Sequence, residues 1–256
     1  MNAIDKLFAV FGLFSDEKPE WTVEAAAEQL GLPASTTYRF FKSLSDEGLI
    51  VAYLAGRYVL GPAIIQLDRQ LRIQDPLIKA ALVTMKELAE GTVDGTFLLC
   101  RLYRNQVICV HQETKGFSAL TSSYERGRLM PLHRGAASKI ILAQMPARTV
   151  RSYHNANGAD MADVNLGGDW DAVKQTLRSI RRSGWCMTHA ELDPGAIGIA
   201  APLFLADDIV VGSLGFVCME KDIDGNAVAA IRKNIVKAAH IVTSRLRDGI
   251  SSNQTP

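Results

Sequence analysis

The stretch from Thr22 to Gly48 is punctuated so tightly that it admits only short helices joined by a turn of a few residues. Thr22 offers a side-chain oxygen at a helix start, Val23, Ala26, Ala27 and Leu30 share one helical face, and Gly31 stands where a helix ends in a left-handed residue. Pro33 suits the first turn of the next helix, where its missing N–H costs nothing. In that helix Thr37, Phe40, Phe41 and Leu44 lie on one face. Ser35, Thr36, Tyr38, Arg39, Lys42 and Ser43 are left on the other, a polar and basic surface without an acid. Ahead of the pair, Ala3, Leu7, Val10, Phe11 and Phe14 recur at helical spacing and Ser15 to Pro19 closes the helix. Beyond Gly48, the β-rich runs Leu49–Tyr53 and Arg57–Leu60 flank Leu54-Ala55-Gly56 as a short hairpin would.

Three helices and a two-stranded ribbon outline a winged helix-turn-helix. A helix that enters the major groove needs small polar side chains for base edges and cations for phosphates, and Ser35 through Lys42 supplies both. Arg39 suits a bidentate contact to phosphate or guanine, while Tyr38 and Thr36 can meet phosphate or a thymine methyl. The plainer alternative is that these residues form the solvated face of a small helix. Charge weighs against DNA: residues 1–60 hold five basic side chains against eight acidic ones, a net of minus three. The cations gather on the third helix and the hairpin, however, and two copies on adjacent half-sites would multiply the specific contribution, so this reading calls for a dimer.

After Gly61-Pro62, Ile64, Leu67 and Leu71 mark a linker helix, and Asp75-Pro76 opens another whose stripe is Leu77, Ala81, Met85 and Leu88. Strand-like runs follow at Thr96–Tyr103, Val107–Gln112, Phe117–Ser123, Trp185–Ala190, Ala196–Leu205 and Ile209–Cys218. Helices are expected over Gly135–Met145, from Asp169 to Gly184 through Trp170, Val173, Leu177 and Ile180, and from about Asn226 to Leu246. Antiparallel hairpins with helices at their edges imply an α+β domain. The expected division is 1–61 for DNA binding, 62–74 for the linker helix, 75–250 for effector binding and oligomerisation, and 251–256 as a mobile tail.

Other functions find little support. With 48% hydrophobic residues and a formal charge of +1, the chain is neither disordered nor basic enough to imply nucleic acid from charge alone. No apolar run approaches the ~18 residues of a membrane span. Met1 to Lys6 lacks the marks of a signal peptide, so a cytoplasmic location is expected. Cys100, Cys109, Cys186 and Cys218 have no C-x-x-C spacing and read as buried thiols. The five histidines show no metal-binding spacing, Gly212-Ser213-Leu214-Gly215 lacks a nucleophile register, and neither a P-loop nor a dinucleotide fingerprint occurs. No enzyme activity, metal or cofactor is expected. The segment Gly127 to Lys139 does invite a ligand, because small residues open a helix there and its free N–H groups attract anions, with Arg134 or Arg128 as counter-ion. Close backbone packing with exposed arginines is the alternative.

Taken together, Leu30 through Arg39, Gly48-Leu49-Ile50, Gly56 through Gly61, Pro131-Leu132-His133, and Pro194-Gly195 through Ile199-Ala200-Ala201-Pro202 resemble the bacterial IclR-type transcription regulators, with motifs in order from about Ala3 to Leu246. The resemblance implies an N-terminal winged helix-turn-helix, a linker helix and a C-terminal GAF-like effector domain with an antiparallel sheet flanked by helices. It further implies a dimer or dimer of dimers on a pseudo-palindromic operator, answering to a small organic acid. Ser35, Thr36, Tyr38, Arg39 and Lys42 then fall on the recognition helix and Arg57 on the wing. Family pocket positions fall on Ala119, Ser122, Ala136, Ala137, Thr188, Ala196, Gly198, Gly215 and Val217. Thr188, Gly198, Gly215 and Val217 stand where an acid, a cysteine and two serines are common, so a roomier, less polar pocket is expected, suited to an aromatic or bulky carboxylate. Arg134 replaces a small residue and would pair with that carboxylate if turned inward. A GAF-like sensor or assembly module without DNA affinity is the alternative function.

Overall fold

The computed structural model describes residues 2–116, 123, 125–206 and 209–252 and divides into two units at Asp75/Pro76. The first unit contains α1 (Ala3–Phe11), α2 (Val23–Leu30), α3 (Ala34–Asp46), β1 (Ile50–Ala52), β2 (Tyr58–Leu60) and α4 (Pro62–Gln74). Asn2 and Asp5 form a reciprocal capping box at α1, which ends at Gly12 and leaves Phe14 beyond the helix. The Thr22 hydroxyl accepts from the Ala25 N–H at 3.2 Å, and Gly31 closes α2 at φ 62°. Pro33 lies one residue earlier than expected, as the N-cap of α3 in an extended conformation. Val10, Trp21, Ala26, Phe41, Leu44 and Ile50 form the core of this unit. The Tyr58 ring meets Phe41 edge-on at 4.9 Å. Trp21 bridges to Tyr58 in antiparallel fashion, which ties the ribbon to the segment before α2. The ribbon turns at Ala55 and Gly56, both left-handed. Such a pair matches the twist of the strands it joins.

In the second unit the order is α5 (Pro76–Glu90), β3 (Gly95–Tyr103), β4 (Gln106–Lys115), β5 (Leu129–Pro131), α6 (Ala136–Gln144), α7 (Ala147–Asp163), α8 (Trp170–Ser183), β6 (Cys186–His189), β7 (Ala196–Phe204), β8 (Val210–Met219), a short 3-10 turn and α9 (Gly225–Ser252). Six strands form one antiparallel sheet in the order β5-β4-β3-β8-β7-β6. Side chains alternate across it. Leu98, Cys100, Ala200 and Val217 face a core shared with α6, α7 and α8. Phe97, Leu99, Ile199, Leu214 and Phe216 face another shared with α5 and α9. The helices therefore cover the two faces rather than the edges, because β3, β7 and β8 are apolar on both sides and each side needs a cover.

Some elements differ from expectation. α7 is absent from the sequence reading: only Val150, Tyr153 and Met161 are buried along it, and it breaks at Asn157, whose amide donates to the Tyr153 carbonyl at 2.9 Å. β5, paired with β4, lies in a segment read as loop. α9 extends to Ser252, so Ser251 and Ser252 are helical rather than tail. Of the strand expected at Phe117–Ser123, residues 117–122 lie outside the described residues, as do 253–256 of the tail. No described helix is long and apolar enough to cross a membrane. Among the described residues, no group of His, Cys, Asp and Glu is placed to hold a metal. All four cysteines are buried free thiols, and burial pushes Cys186 up to about 12 and Cys218 up to about 11.

Candidate functional site

Two regions gather the residues singled out in the sequence. On α3, Phe41 and Leu44 anchor the helix in its core, and Thr37 faces the same way, fully buried. The Thr37 hydroxyl donates to the Pro33 carbonyl at 3.2 Å, so the polar group is satisfied within its own helix and does not disturb the seat. The opposite face presents Ser35, Tyr38, Arg39 and Lys42, exposed, with Thr36 half-buried beside them. Neither Arg39 nor Lys42 joins an ion pair among the described residues. Arg57 on the ribbon is committed, by contrast: its guanidinium is paired with the Glu20 carboxylate.

The second region lies where α6 crosses the sheet. Cross-strand pairing places Thr188, Gly198, Val217 and Thr96 in a line across β6, β7, β8 and β3, next to a line of Cys186, Ala200, Gly215 and Leu98. Glycine in these lines lets α6 sit close. A Cβ on Gly198 would stand 3.2 Å from Thr188 Oγ1 and 3.5 Å from the Ala136 methyl, and one on Gly215 would stand 3.8 Å from the Ala137 methyl. The Ser213 hydroxyl donates to the Ala137 carbonyl at 2.9 Å. Ala136, Ala137 and Gly215 are thus engaged in packing. Thr188, Ala196, Gly198 and Val217 line a cavity together with Gly135, Glu191, Leu192 and Asp193. Its volume is about 10 Å³, room for one water at most. Glu191 belongs to this lining as well as to that of the neighbouring groove. The Arg134 guanidinium donates to the Glu191 carbonyl at 3.5 Å. Ala119 and Ser122 lie outside the described residues. Their neighbour Ser123 donates its hydroxyl to Asp193 at 2.7 Å.

Glu191 and Lys139 are the principal residues that sequence reasoning missed. Lys139 is part of α6, its side chain only 6% exposed, and its ammonium donates to the Val164 carbonyl at 2.7 Å and to the Glu191 carboxylate. The other carboxylate oxygen accepts from the Gly135 N–H at 2.9 Å, at the positive end of the helix. A signal was present: a lysine inside the buried run Ala136–Ala143 requires an anionic partner. Glu191 also borders an open groove of about 460 Å³ along the β6 edge, where Lys139, Asn165, Thr176, Thr188 and His189 contribute polar groups. A separate apolar cleft of about 220 Å³, between Leu142, Val150, Trp170 and Leu177 with Arg178 and Arg181 on its lining, includes none of the residues expected to bind an effector.

Comparison with known proteins covers both regions. Residues 72–244 match the bacterial transcriptional regulator IclR C-terminal family, and residues 3–52 match the IclR helix-turn-helix domain. The chain is 22% identical over 247 residues to the HTH-type transcriptional regulator KipR of Bacillus subtilis (strain 168), covering 96% of this chain and 97% of that one. It is 25% identical to the glycerol operon regulatory protein of Streptomyces griseus, covering 84% of each. Among solved structures, an IclR homolog from Microbacterium hydrocarbonoxydans complexed with 4-hydroxybenzoate is similar in fold, with a TM-score of 0.76 at 19% identity, covering 96% of this chain and 100% of that one.

Proposed function

The chain belongs to the IclR family of bacterial transcriptional regulators, and from that membership we infer that it binds a pseudo-palindromic operator as a homodimer or dimer of dimers and responds to a small organic acid. The observation that carries the DNA reading is α3, seated by Thr37, Phe41 and Leu44 and presenting an acid-free face. Ser35, Thr36, Tyr38, Arg39 and Lys42 contact base edges and phosphates, and Arg57 reaches the backbone once it exchanges Glu20 for phosphate. Residues 1–61 form the DNA-binding part, 62–74 the linker and 75–250 the effector and oligomerisation part. The protein acts as a cytoplasmic regulator, not as an enzyme. Self-association is supported by apolar side chains left in water: Ile4 and Phe8 on α1, and Ile65, Leu67, Leu71 and Ile73 on α4, which buries none of its residues.

Gel retardation of the DNA upstream of the gene and its neighbours tests this reading, comparing wild type with Arg39→Ala at fixed salt. A specific shift lost in the variant is expected. A folded dimer that retards nothing would instead favour a GAF-like sensor or assembly module without DNA affinity, as the net charge of residues 1–60 suggests.

For the effector, Thr188, Ala196, Gly198 and Val217, with Ala136, Ala137 and Gly215 packed nearby, supply a largely apolar wall beside the start of α6, and Ala119 and Ser122 join the effector residues by family pattern. An aromatic or similarly bulky carboxylate suits such a wall, and the Microbacterium relative carries 4-hydroxybenzoate. Arg134, beside Glu191, is available to a carboxylate there. In a thermal-shift screen of organic acids, aromatic members should stabilise the protein; stabilisation by two- and three-carbon acids alone would refute this class.

A further inference from the structure

The internal cavity and the open groove share Thr188 and Glu191 in their linings. Its carboxylate takes the Gly135 N–H and the Lys139 ammonium, and its carbonyl takes the Arg134 guanidinium. These three donors are the ones that a carboxylate arriving at the start of α6 would need, and a single residue of the chain holds them all. The cavity, at about 10 Å³, is too small for any organic ligand. Asp193, the other acid on the cavity, is occupied by the Ser123 N–H and hydroxyl. The turn that carries Glu191 begins at Ala190, left-handed at φ 50°, and ends at Gly195 at φ 71°. A residue with a Cβ seldom holds that conformation unless its surroundings impose it.

We propose that Glu191 is an internal substitute for the effector's carboxylate: a monocarboxylate binds by displacing Glu191 from Lys139 and Gly135, and the released 190–195 turn opens the cavity into the groove. This rests on the effector reading above and assigns the group that receives the acid. The exchange is electrostatically symmetrical. Lys139 is too buried to be left unpaired, yet it keeps the Val164 carbonyl throughout and trades one carboxylate for another. The charge of the ligand therefore gains little by itself, and selectivity comes from what the rest of the molecule buries against Ala196, Gly198 and Val217. An acid of two or three carbons, with nothing to bury, loses to Glu191.

The test uses full-length wild type, Glu191→Ala, Glu191→Gln and the double variant Glu191→Ala/Lys139→Met, titrated with acetate, propionate, benzoate and 4-hydroxybenzoate, and with acetamide and benzamide as neutral controls at constant ionic strength. With the internal carboxylate removed, Glu191→Ala and Glu191→Gln should bind the carboxylates at least tenfold more tightly than wild type and be stabilised by them in thermal melts. The amides should do neither, and the added lysine substitution should abolish the gain. Equal or weaker carboxylate binding in both single variants, an equal response to amides, or failure of both to fold would overturn the proposal and leave the pair as structural. Operator retardation by the wild type is measured alongside. Its failure would count against the regulator reading alone, since the carboxylate exchange needs no DNA.

Discussion

The Tyr153 hydroxyl lies 2.8 Å from His133 Nδ1 and 3.0 Å from the Leu132 amide nitrogen. The amide N–H donates to the phenol oxygen, and the imidazole nitrogen is the phenol's second partner. One side chain from α7 thereby fixes the segment that leads into α6. Tyr153→Phe strands a buried N–H and an imidazole nitrogen, and should cost about 1–3 kcal/mol, read as a fall in the urea midpoint with unchanged slope. An unaltered midpoint would mean that water replaces the phenol.

The same contact predicts a pH response. Burial holds His133 below the ordinary histidine range; Asp160 and Glu191 pull its pKa up, whereas Arg134 and Lys139 push it down. The folded state thus favours the neutral ring, while the unfolded chain takes up a proton near pH 6.5. The stability contribution is complete above about pH 6.5 and is lost as the pH falls toward the lowered folded value. Wild type should lose melting temperature between about pH 7.5 and pH 5, and His133→Asn should flatten that decline. Parallel profiles in the two proteins would remove His133 as the cause.

On α3, Arg39→Ala should weaken operator binding by about 1–3 kcal/mol and lower the slope of log affinity against log salt by about one if the contact is to phosphate. Glu20→Gln works in the opposite direction: it releases Arg57 from its ion pair, so non-specific DNA binding should strengthen and its salt slope should steepen. Fluorescence anisotropy over a salt series measures both, and an unchanged slope in Glu20→Gln would take Arg57 out of the interface.

At the sheet, Gly198→Val places branched carbons against Thr188 and Ala136, where a single Cβ already comes within 3.2 Å. A loss of about 1–3 kcal/mol is expected, together with loss of any effector response. A variant of full stability that still responds would show that α6 can retreat from the sheet.

For α4, Leu67→Lys combined with Leu71→Lys should leave the melting temperature almost unchanged, because neither side chain is buried, yet weaken self-association in sedimentation experiments. A variant that sediments like wild type would place the dimer contact elsewhere.

How far these features are legible in the sequence depends on their range. Thr22, Gly31, Asp169 and Gly184 mark helix ends by local chemistry, and each performs that role. α7 is hidden because Arg148, Arg151, Ser152, Asn155 and Asn157 dilute its apolar stripe, and its burial depends on α6 and the loop before it. The strand partners Thr188, Gly198 and Val217 follow from motif positions, but the ion pair of Lys139 and Glu191 at the start of α6 does not. Lys139 and Glu191 belong to segments far apart in the chain, and only the lysine's apolar neighbours hint at a partner. Pairings of this kind are tertiary, and no window along the sequence contains both members.

The seam between β3 and β8 has a consequence for how the domain comes into being. Thr96 pairs with Val217 and Arg101 with Gly212, so the middle of the sheet joins strands from near the two ends of the domain's sequence. The hairpin of β3 and β4 is synthesised early but has no neighbour on its inner edge until β8 emerges. Closure of so long a loop is slow, and until then that edge is open to other chains. The effector domain therefore completes its sheet only after synthesis has passed Met219, and a chain truncated before β8 retains a hairpin with an exposed edge instead of half a domain.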